Sequence, residues 1–379
     1  MRIGFDVSHI QVHRAGIGRY SADLLRALIA AQGDSEIVLH GWSYSLDLRF
    51  LESFAGSNVT LRVLRLPGIA KRWYWDTCRR PTVNRFTGPL AVFQSSDPFL
   101  PPLGGIKGVC IVHDCCQRRH PQFFRKGIHR REKALERSLE RAEAIIVPSE
   151  HTREDVMELY SVAPQKIRVM HPPLSSRFHK QTADDASPDA LAVNRVAGGR
   201  PFMLFVGTLE PRKNIVRLIR AYEIAASVME EEIGLIIVGK PGWMCQDVFR
   251  ALRESPVRDR VKYVGYLSDA QTSSLYRMAR VFVYPSIFEG FGYPVLEAMA
   301  SGTPVITSNT SSLAEIAGGA AELVDPLDVD GLAHAMVFVA ADDARRRDLS
   351  AAGLVRAASL GASGAGSMLM GLYSSLAAN

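Results

Sequence analysis

The sequence predicts an α/β protein of two doubly wound parallel sheets, one in each of two domains, with a cleft between them. Three observations predict it. Short apolar, β-branched runs of strand length recur along the 379 residues, each followed by a turn and a helical stretch, the alternation that builds parallel sheets. The length suits two domains of ordinary size. Residues 181–200, QTADDASPDALAVNRVAGGR, are polar and small and read as a linker. The first domain is thus expected at 1–180 and the second at 201–358, with an Ala/Gly/Ser-rich helix at 359–379.

In chain order, Arg2–Val7 opens as a strand, and Gly16-Ile-Gly-Arg-Tyr20 leads into a helix with Leu24, Leu25 and Leu28 on one face. Strands follow at Ile37–Trp42 and Val59–Leu66. Leu90–Gln94 and Val109–Val112 read as core strands, and the second ends in His113-Asp114. A strand's carboxyl end faces the crevice where open α/β sheets bind ligands. Residues 128–143, IHRREKALERSLERAE, form a charged helix with several i,i+4 pairings. After the strand 145–148, Ser149 caps a helix over 150–160. Between these lies Lys71-Arg-Trp-Tyr-Trp75, followed by Arg79, Arg80, Arg85 and Phe86. Cations interleaved with large rings fit a membrane interface. They fit equally a helix whose rings pack inward.

The second domain begins with the strand Phe202–Val206, then Gly207-Thr-Leu-Glu-Pro-Arg-Lys-Asn214 and a helix from Ile215. Arg212 and Lys213 stand between a strand end and a helix start, where cations suit a diphosphate. Strands follow at Gly234–Gly239 and Val261–Gly265. The richest stretch is Val281–Asn309. Val281–Tyr284 is a buried strand, Glu289-Gly-Phe-Gly292 a flexible loop, and Pro294 suits the first turn of a helix. Gly302 suits that helix's left-handed cap, and Pro304–Ile306 starts the next strand. Free N–H groups at a helix start after a Gly-rich loop make an anion site. Glu289 precedes the helix and Glu297 lies about one turn inside it. Either alone reads as a solvated or dipole-facing charge. Together they indicate a polyol beside a phosphate, one carboxylate for a ribose diol and the other for a sugar hydroxyl. Leu313–Ile316 then starts a helix, Ala321–Val324 is a strand, and Asp330 onward is helical.

The string EGFGYPVLEAMASGTPVI (289–306) resembles the E-x7-E signature of the retaining glycosyltransferases of family four. GTLEPRKN (207–214), IIVGKPGW (236–243), VKYVGYLSD (261–269), IVPSEHTREDV (146–156), GIGRYSADLL (16–25) and VHD (112–114) resemble further segments of that family, so the likeness covers nearly the whole chain. It implies the GT-B fold, two facing Rossmann-like domains, with a terminal helix that crosses back to the first. It implies transfer of a hexose from a nucleotide diphosphate sugar to an acceptor hydroxyl, with retention. By the same resemblance, Gly16 and Gly18 lie against the donor diphosphate and His113 approaches the donor sugar, with Asp114 orienting it or capping a helix. Arg212, Lys213 and the backbone N–H groups of Phe291 and Gly292 take the diphosphate. Tyr266 and Leu267 hold the base through backbone groups, Glu297 the ribose, and Glu289 the hexose. One departure is Thr208, where many relatives carry Arg. No metal and no cofactor beyond the donor are expected. SNTSSLAE and GTLEPRKN look most like relatives that use GDP-mannose in exopolysaccharide or O-antigen (lipopolysaccharide) assembly, acting on a glycan or polyprenol-linked acceptor. Alternatives are a UDP-sugar transferase, a sugar-nucleotide epimerase and a silent sugar-nucleotide-binding protein.

Bulk properties narrow the setting. The composition, 47% hydrophobic and 22% charged, is that of a globular protein. Residues 1–180 hold 27 Lys+Arg against 17 Asp+Glu, and the rest 18 against 22. No nucleic-acid motif accompanies the basic half, which leaves an anionic lipid surface or substrate as its partner. Five cysteines, at 78, 110, 115, 116 and 245, form no C-x-x-C pair and read as reduced and buried. With no signal peptide or spanning segment read, a cytoplasmic protein is expected, peripheral on the inner face of the plasma membrane through 71–86.

Overall fold

The computed structural model describes residues 1–10, 16–42, 46–64, 75, 80–124, 129–175, 178, 188–361 and 364–378. The chain divides into two compact units. One comprises Met1–Arg118, Arg125–Pro173 and Ala362–Asn379, the other Arg119–Phe124 and Leu174–Gly361.

The first unit holds β1 (Arg2–Asp6), β2 (Glu36–Trp42), β3 (Val59–Leu64), β4 (Val92–Gln94), β5 (Lys107–Ile111), β6 (Ala144–Val147) and β7 (Ile167–Val169). They pair in the order β3-β2-β1-β4-β5-β6-β7, all parallel. The second holds β8 (Phe202–Val206), β9 (Gly234–Val238), β10 (Val261–Gly265), β11 (Val281–Tyr284), β12 (Val305–Ser308) and β13 (Glu322–Val324), in the order β10-β9-β8-β11-β12-β13, again all parallel. The expected class, two doubly wound Rossmann-like sheets, is what the chain forms. Strand order reverses between β1 and β4 in one sheet and between β8 and β11 in the other. Such switch points are where ligands bind, beyond the strands' carboxyl ends.

Strands at the centre of the second sheet, β8, β9 and β11, are continuous apolar runs because helices cover both faces of a parallel sheet. Val281, Phe282, Val283 and Tyr284 are all fully buried. Some helix starts are set by side-chain caps. Ser149 accepts from Thr152 N, and Ser268 with Gln271 forms a capping box. The segment expected as a linker contains the helix Pro188–Ala197, which buries Ala190 and Val193 and packs on the helix Asp269–Met278. The helix Ala365–Ala378 belongs to the first unit and packs on Ile17–Ala31. There Gly366 leaves no room for a Cβ against the Ala27 carbonyl, and the Tyr373 hydroxyl donates to Gln94 Oε1.

The aromatic–basic run requires a correction. Trp75 is partly buried, its ring set edge-on to Trp42 at 4.9 Å and beside His40. The ring therefore packs inward, as large apolar area favours. Arg72, Trp73 and Arg79 lie outside the described residues, and Arg80 is exposed. Among the described residues no helix is long and apolar enough to cross a membrane. Cys110, Cys115, Cys116 and Cys245 are free and buried, whereas Cys78 lies outside the described residues.

Candidate active site

The second unit's switch point brings together two loops. Gly207–Asn214 follows β8, and the Glu289 loop follows β11. Pro211–Lys213 form one 3-10 turn, closed by Asn214 at φ 62°. Asn214 Nδ2 donates to the carbonyls of Pro285 and Pro326, which locks the two loops together. Arg212 and Lys213 consequently point at Glu289. Arg212 Nη1 lies 2.5 Å from Glu289 Oε2, and Lys213 Nζ lies 2.5 Å from Oε1. Oε1 also accepts from Ser286 Oγ at 2.7 Å and Tyr284 Oη at 3.0 Å. The Arg212 guanidinium further meets Glu210 at 2.6 Å and the Phe288 carbonyl at 3.0 Å.

This overturns the picture of Glu289 as a free loop charge. Burial alone would raise its pKa, but Arg212, Lys213 and hydrogen bonds from Lys213 and Ser286 bring it down to about 2. Burial and the neighbouring Arg212 lower Lys213, against the pull of Glu289, and burial raises the Tyr284 phenol. Two cations and two carboxylates, Glu210 and Glu289, balance within the cluster. Arg212 keeps 16% of its side chain exposed and Lys213 only 8%.

Gly292 caps the helix Tyr293–Ala300 at φ 107°, with Pro294 in the first turn as expected. Phe291 is buried, its carbonyl and that of Glu289 held by Ser312 Oγ at 2.9 Å each. Sequence reasoning missed what holds this loop. Hydroxyls along and just after β12 grip carbonyls at and beyond the end of β11: Thr307 that of Tyr284, Ser308 that of Ser286, Thr310 that of Ile287. Ser311 Oγ accepts from Glu289 N at 3.1 Å. Its signal was the Ser/Thr-rich string 307–312. Glu297, expected at the ribose, is only 1% exposed and accepts from Tyr276 Oη at 3.1 Å.

Tyr266 and Leu267 follow β10. Tyr266 is exposed under the Lys240 ammonium, 4.3 Å above its ring, and Leu267 is partly buried. Thr208 lies between Gly207 and Leu209, whose N–H groups continue the β8–β9 pairing onto Val238 and Lys240. Among the described residues no cluster of His, Cys, Asp or Glu could hold a metal ion. The single Asp-x-Asp string, Asp328-Val-Asp330, begins a helix, with Asp328 Oδ1 accepting from Gly331 N at 2.9 Å.

The remaining expected residues stand in the first unit. Gly16, at φ 50°, precedes the helix Ile17–Ala31, and Gly18 is buried in its first turn. His113 follows β5, its ring edge-on to Tyr20 at 5.2 Å. Its Nε2 meets the Ser96 carbonyl at 2.9 Å, and because a carbonyl only accepts, Nε2 carries the proton and Nδ1 the lone pair of the neutral ring. Burial lowers its pKa, against the Ser96 carbonyl and Asp114, which favours that neutral form. Asp114 Oδ1 accepts from Cys116 N at 3.0 Å and so holds the start of the short helix Cys116–Arg119.

Residues 14–176 match the family model described as Glycosyltransferase Family 4, and residues 188–355 the one described as Glycosyl transferases group 1. The chain is 31% identical over 365 residues to O-antigen chain mannosyltransferase B of Escherichia coli, which covers 94% of this chain and 95% of that one. It is 28% identical over 217 residues to O-antigen chain mannosyltransferase RfbU of Salmonella typhimurium, covering 57% and 56%. The solved structure of sucrose-phosphate synthase from Thermosynechococcus elongatus shares the fold over 100% of this chain and 99% of its own, with a TM-score of 0.78 at 20% identity.

Proposed function

The chain belongs to the glycosyltransferases of family four, and from that premise we propose that it moves mannose from GDP-mannose, with retention, to a saccharide hydroxyl in O-antigen-type polysaccharide synthesis. The observation that carries the chemistry is the clamp of Arg212 and Lys213 on Glu289 beside a Gly-capped helix start. The names of the two mannosyltransferase relatives support the sugar.

Transfer breaks the bond from the anomeric carbon to the diphosphate oxygen and forms one to the acceptor oxygen on the same face. The acceptor's proton passes to the leaving phosphate, so the step balances without an enzymic base. Charge building on the diphosphate would be met by the Arg212 guanidinium edge and by the N–H groups of Phe291 and Gly292. Lys213 serves chiefly to hold Glu289. Glu289 in turn fixes Arg212 and faces the donor hexose, where its negative charge favours the oxocarbenium-like carbon. Glu297, oriented by Tyr276, would receive the ribose hydroxyls. His113, in the first unit, has Nδ1 as the acceptor available to a sugar hydroxyl.

Incubating the protein with GDP-mannose, UDP-glucose and UDP-galactose, with and without lipid-linked acceptors, tests the reading. Mannosyl transfer from GDP-mannose is expected. Transfer from a UDP-sugar would overturn the donor, and an isomerised donor or binding without turnover would overturn the reaction. The same assay in EDTA should keep its rate, since backbone and guanidinium groups take the metal's part; loss of activity restored by magnesium or manganese rules that out.

A peripheral membrane contact rests on the basic first half of the chain, with Trp75 turned inward. Flotation with phosphatidylglycerol vesicles should show binding that weakens with salt, as about 1 kcal/mol per surface cation implies. No binding at low salt discards the contact.

A further inference from the structure

The second unit carries a cavity of about 490 Å³ at the end of its sheet away from the Glu289 loop. Arg280 and Pro304 line it, the residues immediately before β11 and β12, whereas Glu289 follows β11. The helix Asp343–Gly361 supplies Arg346, Arg347, Ser350 and Leu354 to the same cavity. Two of the three arginines are held by the helix Val329–Ala341, whose last carbonyls they cap. Arg280 Nε donates to the Ala340 carbonyl at 2.9 Å, and Arg346 Nη1 to those of Val339, at 3.1 Å, and Ala340. Cations at a helix's carboxyl end offset its dipole, so the fold accounts for these two. Arg280 also pairs with Glu231 at 3.0 Å, and Arg346 with Asp343. The fold does not account for Arg347. It is exposed, and the described residues offer it no hydrogen bond or ion pair. Burial, Arg280 and Arg347 all disfavour the charge on Arg346, while Glu231 and Asp342 favour it. Within the lining three guanidiniums stand with one carboxylate, Asp343, whose side chain is 71% exposed. The cavity wall therefore keeps an excess of positive charge.

We propose that this cavity binds the phosphate group of a small organic phosphate, at a second site apart from the reaction. Guanidinium edges present paired N–H donors that match phosphate oxygens. Arg280 and Arg346 are oriented before any ligand arrives, and Arg347 completes the grip. Pro304 and Leu354 give the organic part an apolar wall, and the volume is that of a small-molecule site. The ligand is a phosphomonoester, free or as a lipid headgroup. The site does not rest on the transferase reading, since it lies at the opposite ends of the strands from Arg212 and Glu289.

The test is isothermal titration of the whole protein with phenyl phosphate at about 0.15 M salt, where loose charge attraction is screened. GDP and UDP are present to fill any nucleotide site. Saturable binding is expected, and Arg347→Ala should weaken it about tenfold or more, the loss of one charge-assisted contact. Arg347→Lys keeps the charge without the fork and should fall between the two. Because Arg347 is exposed and unpaired among the described residues, both variants should melt with the wild type. No saturation up to about 10 mM, or an affinity that Arg347→Ala leaves unchanged, overturns the site. Flotation with phosphatidic acid vesicles then identifies the source. Binding lost in Arg347→Ala assigns the headgroup of a lipid, and flotation equal to wild type assigns a soluble phosphomonoester.

Discussion

Replacing Glu289 by Gln should cut sugar transfer by a hundredfold or more and also lower the melting temperature by on the order of 10 °C. The first effect follows from the contact to the reacting sugar proposed above, whose loss would raise the barrier by about 3 kcal/mol. The second follows from the ionic cluster. Lys213 is almost wholly buried, and its hydrogen bond to Glu289 Oε1 is shared with Tyr284 and Ser286. Breaking one partner of a buried pair costs about 3–5 kcal/mol because the other charge is stranded, and each kcal/mol moves a unit of this size by roughly 2–4 °C. Glu289→Gln/Lys213→Met removes both charges and should recover most of the melting temperature without recovering transfer. Acid adds a signature. A carboxyl held near 2 when folded, against an ordinary 4.5, gives stability that is complete above about pH 4.5 and fades as the pH falls toward 2. The gap between wild type and Glu289→Gln should therefore narrow over that window. A single variant with an unchanged melting curve would mean that the carboxylate is not tied to the core. Transfer within threefold of wild type would remove it from the chemistry.

That stability effect was invisible in the sequence for a physical reason. Glu289 meets Arg212 and Lys213 across 77 and 76 residues of chain, a contact created by the switch point and by no local spacing. Local signals fared better. Val281–Tyr284, Phe202–Val206 and the helix over 150–160 are read to the residue, because uniform apolar runs and a Ser cap leave one interpretation. β7 escaped notice: it has three residues with Arg168 at its centre, too short and too polar to stand out. The helix Pro188–Ala197 was hidden behind a linker-like composition, since the face it buries is only Ala190 and Val193. The hydroxyl grip on the Glu289 loop was written in plain view as Thr307–Ser312, but hydroxyl-rich strings also describe ordinary loops, and only the pairing with carbonyls at and after the end of β11 gives them a purpose.

Gly239→Ala is expected to be among the most damaging single-methyl changes in the second unit. Gly239 directly follows β9 at φ 152°, a conformation that side-chain-bearing residues rarely adopt, and its N–H donates to the Gly265 carbonyl at 2.8 Å. A Cβ there would fall on the carbonyl oxygen of Gly207, the residue that follows β8 and begins the loop to Arg212 and Lys213. The obstacle is backbone, so no rotamer relieves it, and Gly207 is itself fixed by its N–H to the Val238 carbonyl at 2.9 Å. The ends of β8 and β9 must part. Overpacking of a rigid site and the unfavourable φ together make about 3 kcal/mol or more of lost stability the expected scale. Even where the protein still folds, a shift of about 1 Å at Gly207 would carry Arg212 with it, and displacements of that size cost about a hundredfold in rate. Gly371→Ala is the control. It lies in the terminal helix with nothing within 4 Å of the added methyl, and alanine there should match or slightly raise the melting temperature. Thermal melts and transfer rates of the two variants decide the matter: if Gly239→Ala behaves like Gly371→Ala, the loop bearing Arg212 does not depend on this close approach of the two strand ends.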